Sequence, residues 1–179
     1  MDCKSFSWSI VSRLLGQPFN SAVVQDFLAA SGVDAVRLWK EVPIGLSQST
    51  SSVQRDTCEI DLKDICGARM RFKMGYLLAG WEEFGSQFLF SGITYYAEGE
   101  DVSAKEFSGE MPFGLTFGDS EQVILSKIGR PCHAEGSDAD GIYRFRRWDF
   151  SDYVVQVVFF ARTLRLRRVF AFLPLNRSA

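Results

Sequence analysis

Alternation constrains this chain more than any other feature of its sequence. Cys58, Ile60 and Leu62 alternate with Glu59, Asp61 and Lys63, and Ala68, Met70, Phe72 and Met74 alternate with Arg69, Arg71 and Lys73. A period of two puts the apolar set on one face of a strand and the charged set on the other. Gln87 to Tyr96 is rich in β-branched and aromatic residues and also reads as a strand. Three more segments follow near the C-terminus: Gly141 to Trp148, a nearly continuous apolar run from Tyr153 to Phe160, and Leu164 to Leu173, which ends at Pro174. The short turns between them carry Asp, Ser, Ala and Arg. Such turns join antiparallel neighbours, so an antiparallel meander is expected there.

Elsewhere the period becomes helical. Phe6, Ile10, Val11, Leu14 and Leu15 form one stripe over Ser5 to Leu15, with Gly16 at the stop and Pro18 preventing continuation. Asn20 or Ser21 can cap a second helix carrying Val23, Val24, Phe27 and Leu28, with Gly32 as its end. Val36, Leu38 and Val42 predict a strand ending at Pro43, and the Ser, Gln and Thr run from Ser47 to Ser52 predicts a loop. Met111 to Gly118 leads to Asp119 or Ser120 as the cap of a third helix, over Val123, Ile124, Lys127 and Ile128, stopped by Gly129 and blocked by Pro131. The stops echo each other. Leu15-Gly16-Gln17-Pro18 and Ile128-Gly129-Arg130-Pro131 each close a helix that precedes several strands. The expected fold is α+β, with two tandem units of short helices packed on an antiparallel sheet. The units span residues 1–97 and 111–179, joined by an acidic, exposed connection at 98–110 and packed as one body.

Composition narrows the function. Of 179 residues 46% are hydrophobic and the net charge is −2, which excludes a disordered tail and argues against an electrostatically driven nucleic-acid binder. The N-terminal Met-Asp-Cys-Lys-Ser-Phe has no basic region followed by an apolar run, and no stretch approaches the roughly 18 apolar residues of a membrane helix. The expectation is a cytoplasmic protein with Cys3, Cys58, Cys66 and Cys132 as reduced thiols. Cys132-His133 with Cys58 and Cys66 would be a zinc set, but there is no Cys-x-x-Cys spacing, and neither a metal nor a cofactor is expected.

Catalysis finds little to work with. His133 is the only histidine, and a small enzyme built on Cys132/His133 is one alternative. No Ser or Cys sits in a nucleophile elbow, Gly114 and Gly118 form no phosphate loop, and Asp149 with Asp152 reads as a turn rather than an acid–base pair. Arg144, Arg146, Arg147, Arg162, Arg165, Arg167 and Arg168 interleave with Tyr143, Phe145 and Trp148. Such a set could stack on RNA, but it equally forms the solvated face of a sheet, and Arg and aromatics are enriched in protein interfaces. Candidate partner-binding residues are acidic or aromatic: Glu98, Glu100, Asp101 and Glu106 in the connection, and Trp81, Glu82 and Glu83 between Gly80 and Gly85. An acidic surface steers a basic partner, and an exposed Trp serves as an anchor.

These residues carry a resemblance. Leu14 to Pro18, Val24-Gln25-Asp26-Phe27-Leu28, Met111-Pro112-Phe113-Gly114-Leu115-Thr116-Phe117-Gly118-Asp119-Ser120, Ile128-Gly129-x-Pro131, Trp148-Asp149 and the strand Tyr153 to Phe159 together resemble small bacterial immunity proteins. These are encoded beside secreted antibacterial toxins of the polymorphic or type VI kind. The Pro-Phe-Gly-Leu-x-Phe-Gly-x-Ser pattern is also similar to the helix-plus-sheet units of β-lactamase inhibitor proteins and outer-membrane assembly lipoproteins. The resemblance implies a non-enzymatic protein that occludes the active site or an essential surface of one cognate toxin, a nuclease being one candidate. An envelope or scaffold assembly module of the same fold is the other alternative.

Overall fold

A computed structural model describes residues 3–33, 57–100 and 103–176. The expected strand at 36–42, the expected loop at 47–52 and Asp101 lie outside the described residues. The fold is α+β and dominated by one sheet. Its strands are β1 (Thr57–Leu62), β2 (Ala68–Met74), β3 (Phe88–Tyr96), β4 (Ala134–Ser137), β5 (Tyr143–Asp149), β6 (Val154–Phe160) and β7 (Leu166–Phe172). The helices are short: α1 (Trp8–Val11), α2 (Ala22–Ala30), α3 (Lys63–Cys66) and α4 (Glu121–Ile128).

The seven strands run in the order β1-β2-β3-β7-β6-β5-β4, with every neighbour antiparallel. The C-terminal strands form the expected meander. β3 pairs with β7, Gly92 opposite Phe172 and Tyr96 opposite Arg168, so strands from both halves of the chain share one sheet.

Alternation decides which side chains face the helices. Ile60, Met70, Ile93, Ala171, Val155 and Trp148 follow one another across the sheet and are all buried in one core with Phe6, Val24, Leu28 and Ile124. Two buried polar atoms in that core find carbonyls. Tyr95 Oη donates to Phe6 O at 3.1 Å and Trp148 Nε1 to Arg130 O at 3.0 Å. On the other face Asp61 stands opposite Arg69, and Glu59 opposite Arg71, with ion pairs of 2.6 and 2.7 Å. Cross-strand pairs of this kind stabilise a sheet by a few tenths of a kcal/mol each.

Both longer helices start as their sequences require. Ser21 Oγ accepts from Val24 N in α2, and Ser120 Oγ accepts from Val123 N in α4. Gly129 ends α4 in the left-handed region, φ 70°.

Two expectations need correction. The stripe from Ser5 to Leu15 is a broken helix: a 3-10 turn at Cys3–Phe6, then α1, then a 3-10 turn at Ser12–Leu14. Ser7 is extended there, its Oγ accepts from Glu110 N at 3.1 Å, and Trp8 N donates to Glu110 O at 2.7 Å. Tertiary partners therefore take groups that a continuous helix would use. The connection after β3 is also less exposed than expected. Ala104 and Phe107 are buried, the Phe107 ring lies 4.5 Å from that of Tyr95, and Phe107 N donates to Tyr96 O.

Candidate functional site

The β6–β7 turn reverses the chain between Phe160 and Leu166. Leu164 N donates to Phe160 O at 2.8 Å, and Phe160 N to Arg165 O at 2.9 Å. This closure forces Leu164 into the left-handed region, φ 53°. Glycine or asparagine suits that conformation, whereas a branched side chain there is strained. Leu164 is nonetheless 38% exposed.

Two hollows flank this turn. A cleft of about 830 Å³ is lined by Glu98, Glu106, Asp119, Glu121, Leu164 and Arg165, among others. Asp119 is held by Lys127 at 2.7 Å and Glu121 by Arg146 at 2.6 Å. Burial raises the Asp119 carboxyl, but donation from Lys127 and Thr116 outweighs it and holds the group below the usual carboxylate range. Glu98 and Glu106 have no ion-pair partner among the described residues and are exposed. A second hollow of about 390 Å³ lies across the turn, lined by Glu100, Tyr143, Phe160, Thr163, Arg165 and Arg167. Thr163, Arg165 and Arg167 border both.

Glu100 differs from its acidic neighbours. Its side chain is only 3% exposed, Arg167 Nε lies 2.7 Å from one carboxylate oxygen and Arg168 Nε 2.8 Å from the other. The Arg168 guanidinium in turn lies 4.9 Å over the Tyr143 ring. The carboxylate is thus spent on anchoring the connection to β7, and it presets the Arg167 guanidinium beside the second hollow and that of Arg168 over the Tyr143 ring. Arg165 has no ion-pair partner among the described residues, and Arg144 and Arg162 are likewise free.

Apolar side chains complete this end of the sheet. Ala161 N donates to Ile142 O at 2.8 Å, which ties the β4–β5 turn to the β6–β7 turn. Ile142 is 45% exposed, and Val123, next to the cleft residue Gln122, is 41% exposed. Of the seven exposed large apolar residues among those described, Leu164 lines the cleft, while Val123 and Ile142 each follow or precede a lining residue in the chain. A polar rim around apolar anchors is the anatomy of a protein interface.

The structure separates the candidate residues read from the sequence. Glu98 and Glu106 come together in the cleft, while Glu100 turns inward. Trp81, Glu82 and Glu83 lie in the β2–β3 connection, at the opposite end of the strands. Trp81 is half-buried and packs on a satellite core of Leu78, Leu89 and Leu173, its ring 5.6 Å from that of Phe84. It fills a gap above Gly16, where a Cβ would stand inside the indole. Glu82 accepts from Asn176 Nδ2 at 3.3 Å.

The Cys132/His133 pair is divided between other partners. Arg146 donates to Cys132 Sγ at 3.4 Å, and Asp149 N donates to His133 Nδ1 at 3.2 Å. Cys58 lies on β1, at the far edge of the sheet from the Cys132–β4 region, so the four residues weighed for zinc do not converge. Among the described residues no group of three or more His, Cys, Asp or Glu is placed to hold a metal, and no helix is long and apolar enough to cross a membrane.

Sequence reasoning missed Leu164, Val123 and Ile142. A signal existed for the first: a Leu within Ala161-Arg162-Thr163-Leu164, a strand-to-strand turn where Gly or Asn would be ordinary. No family model matches the chain, and no curated protein or solved structure is significantly similar to it.

Proposed function

We propose that this chain is a non-catalytic immunity protein that binds one secreted antibacterial toxin and neutralises it by covering its active site or an essential surface. The observation that carries the reading is the strained, exposed Leu164 in the β6–β7 turn, where it lines a cleft that also holds Glu98 and Glu106. A non-glycine residue in the left-handed region persists only where surrounding structure enforces it, and such residues cluster at binding and active sites. A partner segment entering this cleft would cover Leu164, while the exposed carboxylates of Glu98 and Glu106, which have no ion-pair partner among the described residues, steer a basic protein, such as a nuclease, towards it.

The test is co-expression with the neighbouring toxin gene. Cells are expected to survive only with this chain present, the two proteins to co-purify, and Leu164→Asp to lose protection while keeping the native circular dichroism spectrum. Survival that does not depend on this chain, with no complex recovered, overturns the reading.

A further inference from the structure

Two of the four free thiols meet. Cys3 opens the first 3-10 turn and is part-exposed, while Cys66 ends α3 and is 2% exposed. Cys3 Sγ lies 3.9 Å from Ile65 O, the carbonyl just before Cys66, and the two thiols are hydrogen-bonding partners. Both ends of this contact are held in place. Phe6, three residues after Cys3, is fully buried, and its carbonyl accepts from Tyr95 Oη at 3.1 Å. After Cys66 the chain turns at Gly67, φ 68°, whose carbonyl accepts from Tyr96 N at 2.8 Å and whose Cα is packed so closely that a Cβ would collide with Lys105 O. The other two thiols have different surroundings. Cys58 lies on β1 in the core, opposite Phe72, and Cys132 accepts from Arg146 at 3.4 Å.

We propose that Cys3 and Cys66 are a redox-sensitive staple, which a low-molecular-weight disulfide such as oxidised glutathione closes into a disulfide bond. The reaction is a pair of thiol–disulfide exchanges. The thiolate of the part-exposed Cys3 attacks one sulfur of the reagent, so that a mixed disulfide forms on Cys3 and one reagent thiolate leaves. The Cys66 thiolate then attacks Cys3 Sγ, the mixed disulfide breaks, and the second reagent thiolate leaves. The two protein sulfurs lose two electrons, the reagent's disulfide gains them, and the two thiol protons end on the departing thiolates. Burial, aided by Cys3, pushes the Cys66 thiol up to about 12, which makes the second displacement the slow step. Proximity offsets this, because an attack within one molecule runs at a high effective concentration. The closed bond ties the N-terminal turn to α3. Since Lys105 N donates to Lys63 O at 2.9 Å, it also fastens the connection that brings Glu106 to the cleft. The inference does not rest on the toxin reading, because it is measured on the chain alone.

The experiment is incubation of the purified, reduced full chain with oxidised glutathione at about pH 8 for hours, the scale on which such exchanges run. The remaining thiols are then alkylated, and the intact mass and tryptic peptides are read. The chain is expected to lose two hydrogens and gain one glutathione. The glutathione sits on Cys132, and the peptide ending at Lys4 is joined to peptide 64–69, which holds Cys66. Cys66→Ala leaves the Cys3 adduct unresolved, so that variant carries a second glutathione. Cys3→Ser carries the Cys132 adduct alone, with Cys66 unmodified. Closing a loop of about 60 residues constrains the unfolded chain, so oxidation should raise the urea midpoint of the parent by about 1–2 M and leave both variants unmoved. A glutathione that persists on Cys3 in the parent chain overturns the inference. So does a bond from Cys3 to Cys58 or Cys132, a Cys3 that stays unmodified, or an oxidised parent no more resistant to urea than the reduced one.

Discussion

Replacing Glu100 by Gln separates a carboxylate that holds the fold from carboxylates that do not. The Glu100 side chain is 3% exposed and its two oxygens meet Arg167 at 2.7 Å and Arg168 at 2.8 Å. The amide removes the charge and turns one acceptor into a donor that faces a guanidinium. Breaking a fully buried pair in this way costs about 3–5 kcal/mol, because a charge is left uncompensated. The two arginines are 23% and 31% exposed, so water shares the burden, and about 2–3 kcal/mol is expected here. With a urea m-value of about 2 kcal/mol/M for a chain of this size, the midpoint should drop by about 1–1.5 M with m unchanged. Glu106→Gln, at an exposed carboxylate without an ion-pair partner among the described residues, should stay within about 0.5 kcal/mol of the parent. Urea titrations followed by tryptophan fluorescence read both. Equal midpoints for the two variants, or a Glu100→Gln shift below about 0.3 M, would refute the division of the acidic residues into anchor and surface.

Three further outcomes follow from local geometry. Gly16→Ala should destabilise by about 2–3 kcal/mol and shift tryptophan emission, since its Cβ collides with the Trp81 ring at φ 79°, whereas Gly129→Ala at φ 70° meets only a carbonyl 3.9 Å away and should cost about 1 kcal/mol; similar melting temperatures for the two would contradict the packing. Burial, aided by Glu59, pushes the Cys58 thiol up to about 11, and burial, aided by Cys3, pushes Cys66 up to about 12. The unfolded chain then releases these protons first, from about pH 8.5, so the native state holds more protons and stability should fall as pH rises from there; a urea midpoint that is flat between about pH 8 and pH 10 would be the contrary result. An aromatic disulfide reagent at pH 8 should label Cys3 and Cys132 quickly and Cys58 and Cys66 only on unfolding, so four fast thiols in the native protein would argue against the placement of β1 and α3.

What could be read from the sequence was whatever depends on near neighbours. The Cys58–Lys63 and Ala68–Met74 alternations became β1 and β2 in register, because the period of a strand and the burial of one face are local facts. Ser21 and Ser120 cap as their spacing requires. β4 went unseen because Ala134-Glu135-Gly136-Ser137 has Ala134 as its one apolar member and no alternation, and its place depends on β5 alone. The first helix broke because Glu110, far along the chain, claims the backbone and hydroxyl around Ser7. The acidic residues show the same limit. Glu98 and Glu100 look alike in sequence, yet Arg167 and Arg168 take the carboxylate of Glu100 and leave that of Glu98 without an ion-pair partner among the described residues.

Leu164 turns that limit into a functional lead. A left-handed leucine costs roughly 1–2 kcal/mol relative to a relaxed backbone, and Gly or Asn in the same turn would avoid most of it. A turn needed only to join β6 to β7 gains from Leu at that position only the burial of its covered part, since 38% of it is exposed. Its exposed 38% recovers no burial in the isolated chain. Covering it in a complex would supply the missing apolar contact, and the strain would already hold the side chain outward, so less ordering is left to do on binding. The same logic separates Leu164 from Trp81. Trp81 is larger and more conspicuous in the sequence, but its ring already has a surface to rest on, above Gly16 and against Phe84.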